Sequence, residues 1–569
     1  MSQEFTSNAL EHTNSTIPIY LSRGYEAYCL GNLNEAASFY NSALHVDPKN
    51  WDALKYLADI SVKLKNYPLA VSYLYRLLEI NRNSASVYNT LGYVLKQLNR
   101  LEEALTSYFL VISVSPDFLD AYLSCGDILF ALKRYDEAVG IYDKAIALKP
   151  NYFEAFNNRG VALKELKKID EAIASYSKAI ELRPDAYEAY NNRGDALIAS
   201  KRLDEAVLSI NQAIAIKPDY FKAYNNKGNA LIEFKKLDEA FHSYTQAALI
   251  EPTNPRVNFN LGLYHLLKAN FKDGWVGYEA RLMDPDSSVF TRNRSFKKPL
   301  WNGKDDLRGK TIFIYAEQGL GDTIQFSRYI AEVAKEGASV IFEVQKSILK
   351  LLSSLDGVTT ILAKGDEVPP FDYQCPLLSL PALFKTELTN IPPIVRPLLV
   401  PENKLNEWVI RLGKRVKPRI GLVWSGSTIH KKDHFRSLNL SELVHLLPPQ
   451  FEYISLQKEI SSLDEDLLRK NQIKHFGTEL NDFTDTAALA QLMDLVISVD
   501  TSVAHLAATL SIPTWILIAY SPDWRWLLDR TDSPWYPSLK IYRQTQLNDW
   551  KDVLRHVIND LENSGSYAN

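Results

Sequence analysis

The sequence predicts an α-helical repeat array followed by an α/β region, and two observations support this fold class. A 34-residue periodicity runs through the first half of the chain, and short apolar runs alternate with helical stretches in the second half. Helical units of this length stack into solenoids, and strands that alternate with helices are typical of parallel sheets. We therefore expect an α-solenoid followed by α/β domains.

The composition is that of a globular protein without an excess of positive charge. Of its 569 residues, 46% are hydrophobic and 23% are charged, and the formal net charge is −4. This length corresponds to about three or four domains, and the charge argues against a basic surface that binds nucleic acid. Cys29, Cys125 and Cys375 are far apart, so neither a disulfide framework nor a zinc site is indicated, which fits a reducing cytoplasm.

The sequence also gives no indication of a secretory or membrane segment. Residues 1–16 are polar and include acidic residues, so we predict an N-terminal tail rather than a signal peptide. Because no apolar run approaches about 20 residues, no membrane span is expected. We therefore predict a cytoplasmic location.

Small residues and prolines recur at fixed positions of the 34-residue period. Glycine occupies one position at Gly24, Gly92, Gly126, Gly160, Gly194, Gly228 and Gly262, with Ala58 in the remaining unit. Twelve residues later stand Ala36, Ala70, Ala104, Ala138, Ala172, Ala206 and Ala240. The units close at Pro48, Pro116, Pro150, Pro184, Pro218 and Pro252, with Arg82 as the exception. This pattern resembles the tetratricopeptide repeat, a pair of helices per unit. It predicts an array over residues 17–288, with seven full repeats over 17–254 and a degenerate eighth.

Four successive repeats carry asparagine at the same position of the first helix. These residues are Asn158, Asn192, Asn226 and Asn260. Asparagine is a mediocre helix former, so helix propensity does not explain its recurrence. In one interpretation the amides form a ladder on the concave face that bonds the backbone of an extended peptide. In the other interpretation the amides bridge neighbouring repeats, and the sequence leaves both open.

Residues 289–309 are predicted to link the array to the second half of the chain. This stretch mixes proline, glycine, serine and charged residues, and we assign no ligand to its basic side chains. A proline-rich stretch, 369–401, divides the remainder into two α/β halves, 310–401 and 402–569. Two such halves that face each other leave a cleft between the carboxyl edges of their sheets, which is a common place for a ligand.

The first α/β half opens with a predicted strand over 312–317, the turn QGLGDT and a helix. Gly319 and Gly321 permit a tight turn and close approach of a ligand to the backbone. Asp322 has two interpretations. It caps the helix, with Gln325 returning the bond as in a capping box, or its carboxylate lies at the cleft as a general base that takes a proton from an acceptor hydroxyl.

The second α/β half opens with a predicted strand over 420–424 that is followed by Ser425 and Ser427. Their hydroxyl groups would lie at the carboxyl edge of the sheet. Arg436 follows, and its planar fork matches the geometry of a phosphate, so it could offset the charge of a leaving diphosphate. Lys431 and Lys432 fit a solvated loop better.

The stretch DLVISVDTSVAHLAATLSIPT, residues 494–514, is the most informative part of the sequence. It predicts a buried strand followed by Asp500, Thr501 and Ser502 and by a helix with His505 in its first turn. Open α/β sheets bind ligands at such strand–turn–helix units, and the free N–H groups at the helix start suit a diphosphate. Alternatively, Thr501 or Ser502 merely caps the helix and His505 is a surface residue.

Two later segments are ambiguous. The segment SLQKE, residues 455–459, ends a predicted strand where a nucleotide base could pair with backbone groups. Around Arg525, the tryptophans either form a platform for a sugar or base or pack the C-terminal helix onto the first half. We predict packing for Trp526 and leave Trp524 open.

Taken in this order, QGLGDT, VWSGS with its downstream arginine, and VISVDTSVAHLAATLSIPT resemble glycosyltransferases of the GT-B type, which have two Rossmann-like domains facing across a cleft. The likeness is strongest to the lipopolysaccharide heptosyltransferase family, whose members carry a Gly-Asp turn and a D-T-x-x-x-H-L-A signature, and it covers residues 310–545. Glycosyltransferases with N-terminal tetratricopeptide arrays form a known bacterial group. The overall architecture is similar to that of the protein O-GlcNAc transferases, whose repeats carry an asparagine ladder.

The resemblance implies a role for each matching residue. Asp322 is the implied base, and the donor would be bound by Gly319, Gly321, Ser425, Ser427, Arg436, Asp500, Thr501, Ser502 and His505. Ser502 stands where the family often has glycine, so the approach of the donor to the backbone is expected to differ there. Enzymes of this fold usually need no metal, so we expect neither a metal nor a cofactor, and the donor would be a nucleotide-diphosphate sugar.

We therefore predict a glycosyltransferase that moves a sugar from a nucleotide-diphosphate donor to an acceptor hydroxyl, while the repeats recruit a protein acceptor or partner. Two alternatives stay open. In the first, the chain is a non-catalytic interaction scaffold with a degenerate transferase domain. In the second, it is a transferase that acts on a glycan or lipopolysaccharide.

Overall fold

The computed structural model describes residues 2–284, 296–394, 398–426, 433–547 and 549–563, without the side chains of 2–15, 434 and 435. The chain divides into two compact units, residues 1–226 and 227–569. The division falls inside the stretch that the periodicity assigns to repeats. None of the helices in these ranges combines the length and the apolar character that a bilayer crossing requires.

The repeats form pairs of helices, as the periodicity predicts. The first helix of each pair is α1 (Ser2–Cys29), α3 (Trp51–Lys63), α5 (Ala85–Gln97), α7 (Leu119–Ala131), α9 (Phe153–Glu165), α11 (Tyr187–Ala199), α13 (Phe221–Glu233) and α15 (Pro255–Leu267). The second is α2 (Leu33–Val46), α4 (Tyr67–Ile80), α6 (Leu101–Val114), α8 (Tyr135–Leu148), α10 (Ile169–Leu182), α12 (Leu203–Ile216), α14 (Leu237–Ile250) and α16 (Phe271–Glu279). Helix α1 begins at Ser2, so it includes residues predicted to form a tail.

The recurring glycines let the two helices of a repeat approach each other. In the 1–226 unit, a Cβ added at Gly126 would lie 2.4 Å from the ring of Tyr142 in the second helix, and one at Gly160 would lie 2.7 Å from Tyr176. Only glycine leaves room for these rings. The recurring alanines are fully buried, which confirms that the small residues serve close packing.

The eighth pair, α15 and α16, packs even more tightly, and it belongs to the 227–569 unit. Here the contact is between backbones, because Gly262 of α15 lies directly against Gly277 of α16. A short 3₁₀ turn, Ala280–Met283, continues α16. The indole Nε1 of Trp275 donates to the carbonyl oxygen of Thr386 at 2.8 Å, which ties α16 to the α/β region.

Replacing Gly277 by alanine is expected to lower the free energy of unfolding by about 1–3 kcal/mol, because overpacking forces the backbones apart. The added Cβ would lie 2.6 Å from the Cα of Gly262 and 2.7 Å from the carbonyl oxygen of Asn258. Denaturant titration of the full chain measures the change. Gly140→Ala is the control, since nothing lies within 4 Å of that position, and it should be neutral or stabilising. Equal effects of the two changes would contradict this explanation.

The α/β region contains two parallel sheets, as the alternation of strands and helices predicts. The first has the order β3-β2-β1-β4, and the second has the order β10-β9-β8-β5-β6-β7. The first sheet consists of β1 (Thr311–Tyr315), β2 (Ser339–Val344), β3 (Val358–Ala363) and β4 (Tyr373–Pro376). The second consists of β5 (Arg419–Val423), β6 (Glu452–Ser455), β7 (Lys474–His475), β8 (Leu495–Val499), β9 (Thr514–Ile518) and β10 (Leu539–Arg543). Strand β10 is absent from the sequence-based prediction. Its sequence, LKIYR, contains the exposed Lys540, so its apolar run is short.

The helices of this region connect consecutive strands or flank the sheets. Those around the first sheet are α17 (Leu320–Phe326), α18 (Tyr329–Lys335), α19 (Leu349–Leu352) and α20 (Leu380–Leu383). Those around the second are α21 (Glu402–Leu412), α22 (Asp433–Arg436), α23 (Leu440–Val444), α24 (Ser462–Lys470), α25 (Phe483–Gln491), α26 (Ser502–Thr509) and α27 (Lys551–Asn563).

The described part of the predicted linker, residues 296–309, is packed onto the first sheet. The backbone N–H of Trp301 donates to the carbonyl oxygen of Gln374 at 2.9 Å, and the side chains of Trp301 and Leu307 are buried. The stretch therefore covers the edge next to β4. Arg292 and Arg294 lie outside the described residues.

Candidate functional site

The first turns of α17 and α26 come together where β1 and β8 end. A Cβ added at Gly321 would lie 2.8 Å from Cδ2 of His505 and 3.4 Å from the Cα of Ser502. The two glycines of this turn were predicted to let a ligand approach the backbone closely. In the structure, Gly321 instead admits the His505 ring, so at this point the two helices are in contact.

The carboxylate of Asp322 is bonded on both oxygens. Oδ2 accepts the backbone N–H of Gly319 at 2.9 Å, which is the capping interaction of α17, and Oδ1 pairs with the guanidinium of Arg525. Gln325 does not return a capping bond, which corrects that detail of the prediction. Its Oε1 accepts Nε–H of Arg525 at 2.8 Å, because the buried guanidinium needs an acceptor there.

Arg525 is the residue that organises this site, and no motif identified it. Besides Asp322 and Gln325 it pairs with Asp523 at 2.9 Å, and its guanidinium lies over the ring of Trp524 at 4.4 Å. Burial disfavours the cation, but the carboxylates of Asp523 and Asp322 outweigh it and raise the pKa of Arg525. The available signal was an arginine within an aromatic segment, a pattern that fits a buried cation–π contact.

His505 is buried rather than on the surface, at 5% exposure. Its ring stacks on Trp526 with centroids 5.3 Å apart, and its Nδ1 lies 2.9 Å from the Tyr536 hydroxyl. Burial, followed by the charge of Arg525, lowers the pKa of His505 to about 3. The imidazole is therefore neutral at physiological pH.

Asp500 follows β8, and its side chain remains 22% exposed. Burial and the negative charge of Asp523 raise the pKa of Asp500 to about 6. The positive charges of Arg436 and Arg525 act in the opposite direction but do not cancel this increase. The carboxylate lies 3.9 Å from Nε2 of His505. Asp500 is thus a carboxyl group that changes charge close to neutral pH.

Asp500→Asn is expected to stabilise the protein at about pH 8 by about 1–3 kcal/mol and to have little effect at about pH 4. A carboxyl group whose pKa is raised in the folded state contributes to the free energy of unfolding. This contribution is complete below its unfolded pKa and is lost as the pH rises through about 6. Asparagine is neutral at every pH, so the variant does not lose it. Thermal unfolding between these pH values measures the difference, and a pH-independent effect would contradict the assignment.

The start of α26 is not capped by a side chain of its N-cap residue. Thr501 is the N-cap and makes no side-chain cap bond. Its hydroxyl instead pairs with that of Ser498 at 3.0 Å, so it is not an acceptor for the first N–H groups of the helix. Of these, the N–H of Ala504 donates to the carbonyl oxygen of Thr501 at 3.1 Å. Thr501 is buried and Ser502 is partly exposed.

Arg436 lies beside this helix start. Its Nη1 donates to the carbonyl oxygen of Asp500 at 3.0 Å, and its Nε pairs with the Asp433 carboxylate at 3.0 Å. These two bonds hold the guanidinium next to the turn between β8 and α26. A cation and a set of backbone N–H groups therefore lie together.

Ser425 bonds with a residue of the SLQKE segment. Its backbone N–H donates to Oε1 of Gln457 at 2.8 Å, and its hydroxyl oxygen accepts Nε2–H of the same amide at 2.9 Å. Gln457 therefore joins the carboxyl ends of β5 and β6. Ser427, Lys431 and Lys432 lie outside the described residues, so their roles stay predictions.

Both tryptophans of the 3₁₀ turn Trp524–Trp526 are buried, at 4% and 0% exposure. Trp526 is packed rather than available as a platform, and the ring it stacks on is that of His505 in α26. Trp524 packs edge-on against Trp275 of α16, with centroids 5.3 Å apart, and not against the C-terminal helix. The aromatic segment thus joins the eighth helix pair to the α/β region.

The amide nitrogens of the four asparagines bond neighbouring repeats. In the 1–226 unit, Nδ2 of Asn158 donates to Asp127 at 3.0 Å, that of Asn192 to Asn157 at 3.3 Å, and that of Asn226 to Asn191 at 3.0 Å. In the 227–569 unit, Nδ2 of Asn260 donates to Asn229 at 3.2 Å. These contacts agree with the bridging interpretation. Binding of a peptide backbone by these amides stays a prediction.

In the ranges that the structure describes, no group of three or more His, Cys, Asp or Glu side chains is arranged to hold a metal ion. Two acidic groups of the site, Asp322 and Asp523, are instead paired with the guanidinium of Arg525. This arrangement can bind a polar or anionic ligand and can accept or release a proton at Asp500.

Comparison with known protein families identifies the helical array. Models described as tetratricopeptide repeat match residues 30–92, 85–118, 157–221 and 221–254, and one described as TPR repeat matches 126–167. Together with the helix pairs, these matches show that the array consists of tetratricopeptide repeats. Such arrays are scaffolds that bind protein or peptide partners along extended surfaces.

The chain is similar to Protein FlbA of Caulobacter vibrioides (strain ATCC 19089 / CIP 103742 / CB 15), with 26% identity over 316 residues. The match covers 50% of this chain and 51% of that protein, so the chain spans about half the length of this curated relative.

Among solved structures, the chain is similar to that of YrrB, described as a TPR protein with an unusual peptide-binding site. The identity is 23%, the match covers 32% of this chain and 95% of that one, and the TM-score is 0.28. It is also similar to a tetratricopeptide repeat protein from Parabacteroides merdae ATCC 43184, with 17% identity, coverage of 44% and 99%, and a TM-score of 0.36.

Proposed function

We propose that the α/β region binds a nucleotide-diphosphate sugar at the start of α26 and transfers the sugar to an acceptor hydroxyl. The observation that carries this proposal is the start of α26, where Thr501 provides no side-chain cap and Arg436 lies against the preceding turn. Helix N–H groups and a guanidinium are both good ligands for phosphate oxygens. The GT-B resemblance of the sequence motifs supports the same site.

Asp322 stays the candidate base for the acceptor hydroxyl in this proposal. The structure adds that its carboxylate is already bonded to Gly319 and to Arg525. Each carboxylate oxygen has two lone pairs, so these bonds orient the group and leave acceptor capacity for a hydroxyl. Asp500, which can be protonated, has its carboxylate 3.9 Å from Nε2 of His505. It is the second carboxyl group near the proposed reacting centre.

The repeats recruit the acceptor or a partner protein in this proposal. The amide ladder is held in place by its inter-repeat bonds, so the amides would be preorganised for a peptide backbone. A second candidate function is an interaction scaffold whose α/β region does not catalyse transfer. The tetratricopeptide matches favour this candidate too, because they concern the array alone.

Binding of a nucleotide distinguishes the two functions. We expect one of UDP, GDP, ADP or CMP to raise the thermal stability of the full chain, by about 2.7 kcal/mol at 100 times its dissociation constant. Arg436→Ala should weaken this binding about tenfold or more, since it removes a charged hydrogen-bond donor. Arg469→Ala is the control, because that side chain is 73% exposed on α24. Absence of any nucleotide effect on the wild-type chain would favour the scaffold.

A further inference from the structure

Residues 520–530, here called the site segment, carry the side chains that close the candidate site, and we propose that Arg543 is the residue that positions them. The segment follows β9 and contains Asp523, Arg525 and Trp526. Arg543 is the last residue of β10. The effect of Arg543 on ligand binding rests on the proposed function, whereas its effect on the geometry of the site segment does not.

The guanidinium of Arg543 donates to three carbonyl oxygens of the site segment. Nη1 donates to Leu527 at 3.0 Å, Nε donates to Arg530 at 2.9 Å, and Nη2 donates to Trp526. The next residue, Gln544, accepts the backbone N–H of Tyr520 through Oε1 at 2.9 Å. The end of β10 thus holds both ends of the segment.

The backbone of the site segment needs such a restraint at Leu527. This residue has φ 54° and ψ −162°, a combination that glycine adopts readily and a branched side chain rarely does. The Leu527 side chain is buried at 5% exposure. A strained residue persists only where its surroundings fix it. Two of the Arg543 bonds go to the carbonyl oxygens of Trp526 and Leu527, which flank the φ and ψ angles of Leu527.

The restraint extends from this turn into the site. Trp526 directly precedes Leu527 and stacks on His505, and Arg525 pairs with Asp322 of α17. If the turn relaxed, the indole would leave the imidazole and the guanidinium would turn away from Asp322. Arg543 acts through these two residues, so it is a positioning residue.

The protonation of His505 reports the position of the site segment without any ligand. In the intact protein its imidazole is neutral between about pH 5 and 8, because burial by Trp526 and its neighbours lowers its pKa to about 3. The charged or titratable groups that face it are Asp500, Asp523, Arg525, Arg328, Arg436 and Tyr536. Release of Trp526 and Arg525 would return the pKa towards its ordinary range.

The experiment follows the histidine NMR signals of the full chain between these pH values, with the His505 signal assigned by its loss in His505→Gln. Arg543→Ala should make His505 titrate near its ordinary pKa, and millimolar methylguanidinium, which can refill the space, should reverse this. Lys540→Ala is the control, because Lys540 is on the same strand in an exposed pair with Asp560, and it should leave His505 neutral.

Two outcomes would overturn the proposal. His505 stays neutral in Arg543→Ala, or it titrates equally in Lys540→Ala. If Arg543→Ala does not fold, Arg543→Lys replaces it, since lysine keeps the charge but cannot reach three carbonyl oxygens, and it should expose His505 in part. Nucleotide affinity, measured in parallel, should fall at least tenfold in Arg543→Ala. If the wild-type chain binds no nucleotide, the proposed function fails, while the His505 signal still tests Arg543.

Discussion

Arg281→Ala is expected to lower the free energy of unfolding of the 227–569 unit by about 3–5 kcal/mol, the effect of breaking a buried ion pair on one side. The side chains of Arg281 and Glu317 are each 1% exposed, and their charged atoms are 2.9 Å apart. Arg281 also donates to the hydroxyl of Ser379 at 2.8 Å and pairs with Glu279. Alanine would leave the Glu317 carboxylate buried without its cation.

Denaturant titration of the full chain measures this change, with Lys335→Ala as the control. Lys335 forms an exposed pair with Glu332 at 2.7 Å, and such pairs contribute about 0–1 kcal/mol. The double variant Arg281→Met/Glu317→Leu should be more stable than Arg281→Ala, because it removes both charges and keeps apolar volume. A double variant that is less stable than Arg281→Ala would contradict the ion-pair explanation.

Arg525→Ala is expected to lower the free energy of unfolding by about 3 kcal/mol at neutral pH, near the lower end of the range for broken buried pairs. The reason for the smaller value is that Asp322 and Asp523 are 22% and 38% exposed, so water can partly solvate them. Arg525→Lys should lie between the wild type and Arg525→Ala, because lysine keeps the charge but loses the fork that bonds Gln325.

The effect of Arg525→Ala should also depend on pH. Burial opposes ionisation of Asp523, yet Arg525 and its hydrogen bonds hold the pKa of this carboxyl below its ordinary value. Such a group contributes stability that is present above its unfolded pKa and is lost as the pH falls through the folded one. The difference between variant and wild type should therefore shrink below about pH 4. Thermal unfolding at several pH values measures it, and a constant difference would indicate lost packing instead.

The helical array was predictable because its signals are local. Most of the recurring glycines face a tyrosine ring of the next helix, as Gly126 faces Tyr142, and Gly194 faces Ile210. The constraint therefore repeats in the sequence at a fixed spacing. The buried strands were predictable for a similar reason, since parallel strands covered on both faces are continuous apolar runs. Strand β10 was missed because its exposed Lys540 interrupts such a run.

The contacts of the candidate site were not predictable, because they join residues far apart in the sequence. Asp322 and Arg525 are separated by 203 positions, and nothing in either local pattern specifies the other. The motifs selected turns that lie close together in the structure, at Asp322, Asp500 and His505, but they gave no information about burial. The surface interpretation of His505 failed for that reason.

The asparagines show the same limit on a smaller scale. Their fixed spacing identified a recurring role, but propensity could not distinguish a ligand-binding amide from one that bonds the adjacent repeat. The structure shows the latter bonds at Asn158, Asn192 and Asn226. Because one amide has both a donor and an acceptor group, the same side chain can serve both purposes.

The eighth helix pair has a consequence for how this protein can change over evolution. Trp275, Tyr278 and Arg281 join α16 and the turn after it to the α/β region, through Thr386, Gln318 and Glu317. Loss or duplication of this pair would disturb the fold of its neighbours. Earlier repeats contact mainly adjacent repeats, so their number can vary by whole 34-residue units. The number of earlier repeats can therefore change by whole units while the last pair is retained, which would alter the length of the surface that the array offers to a partner.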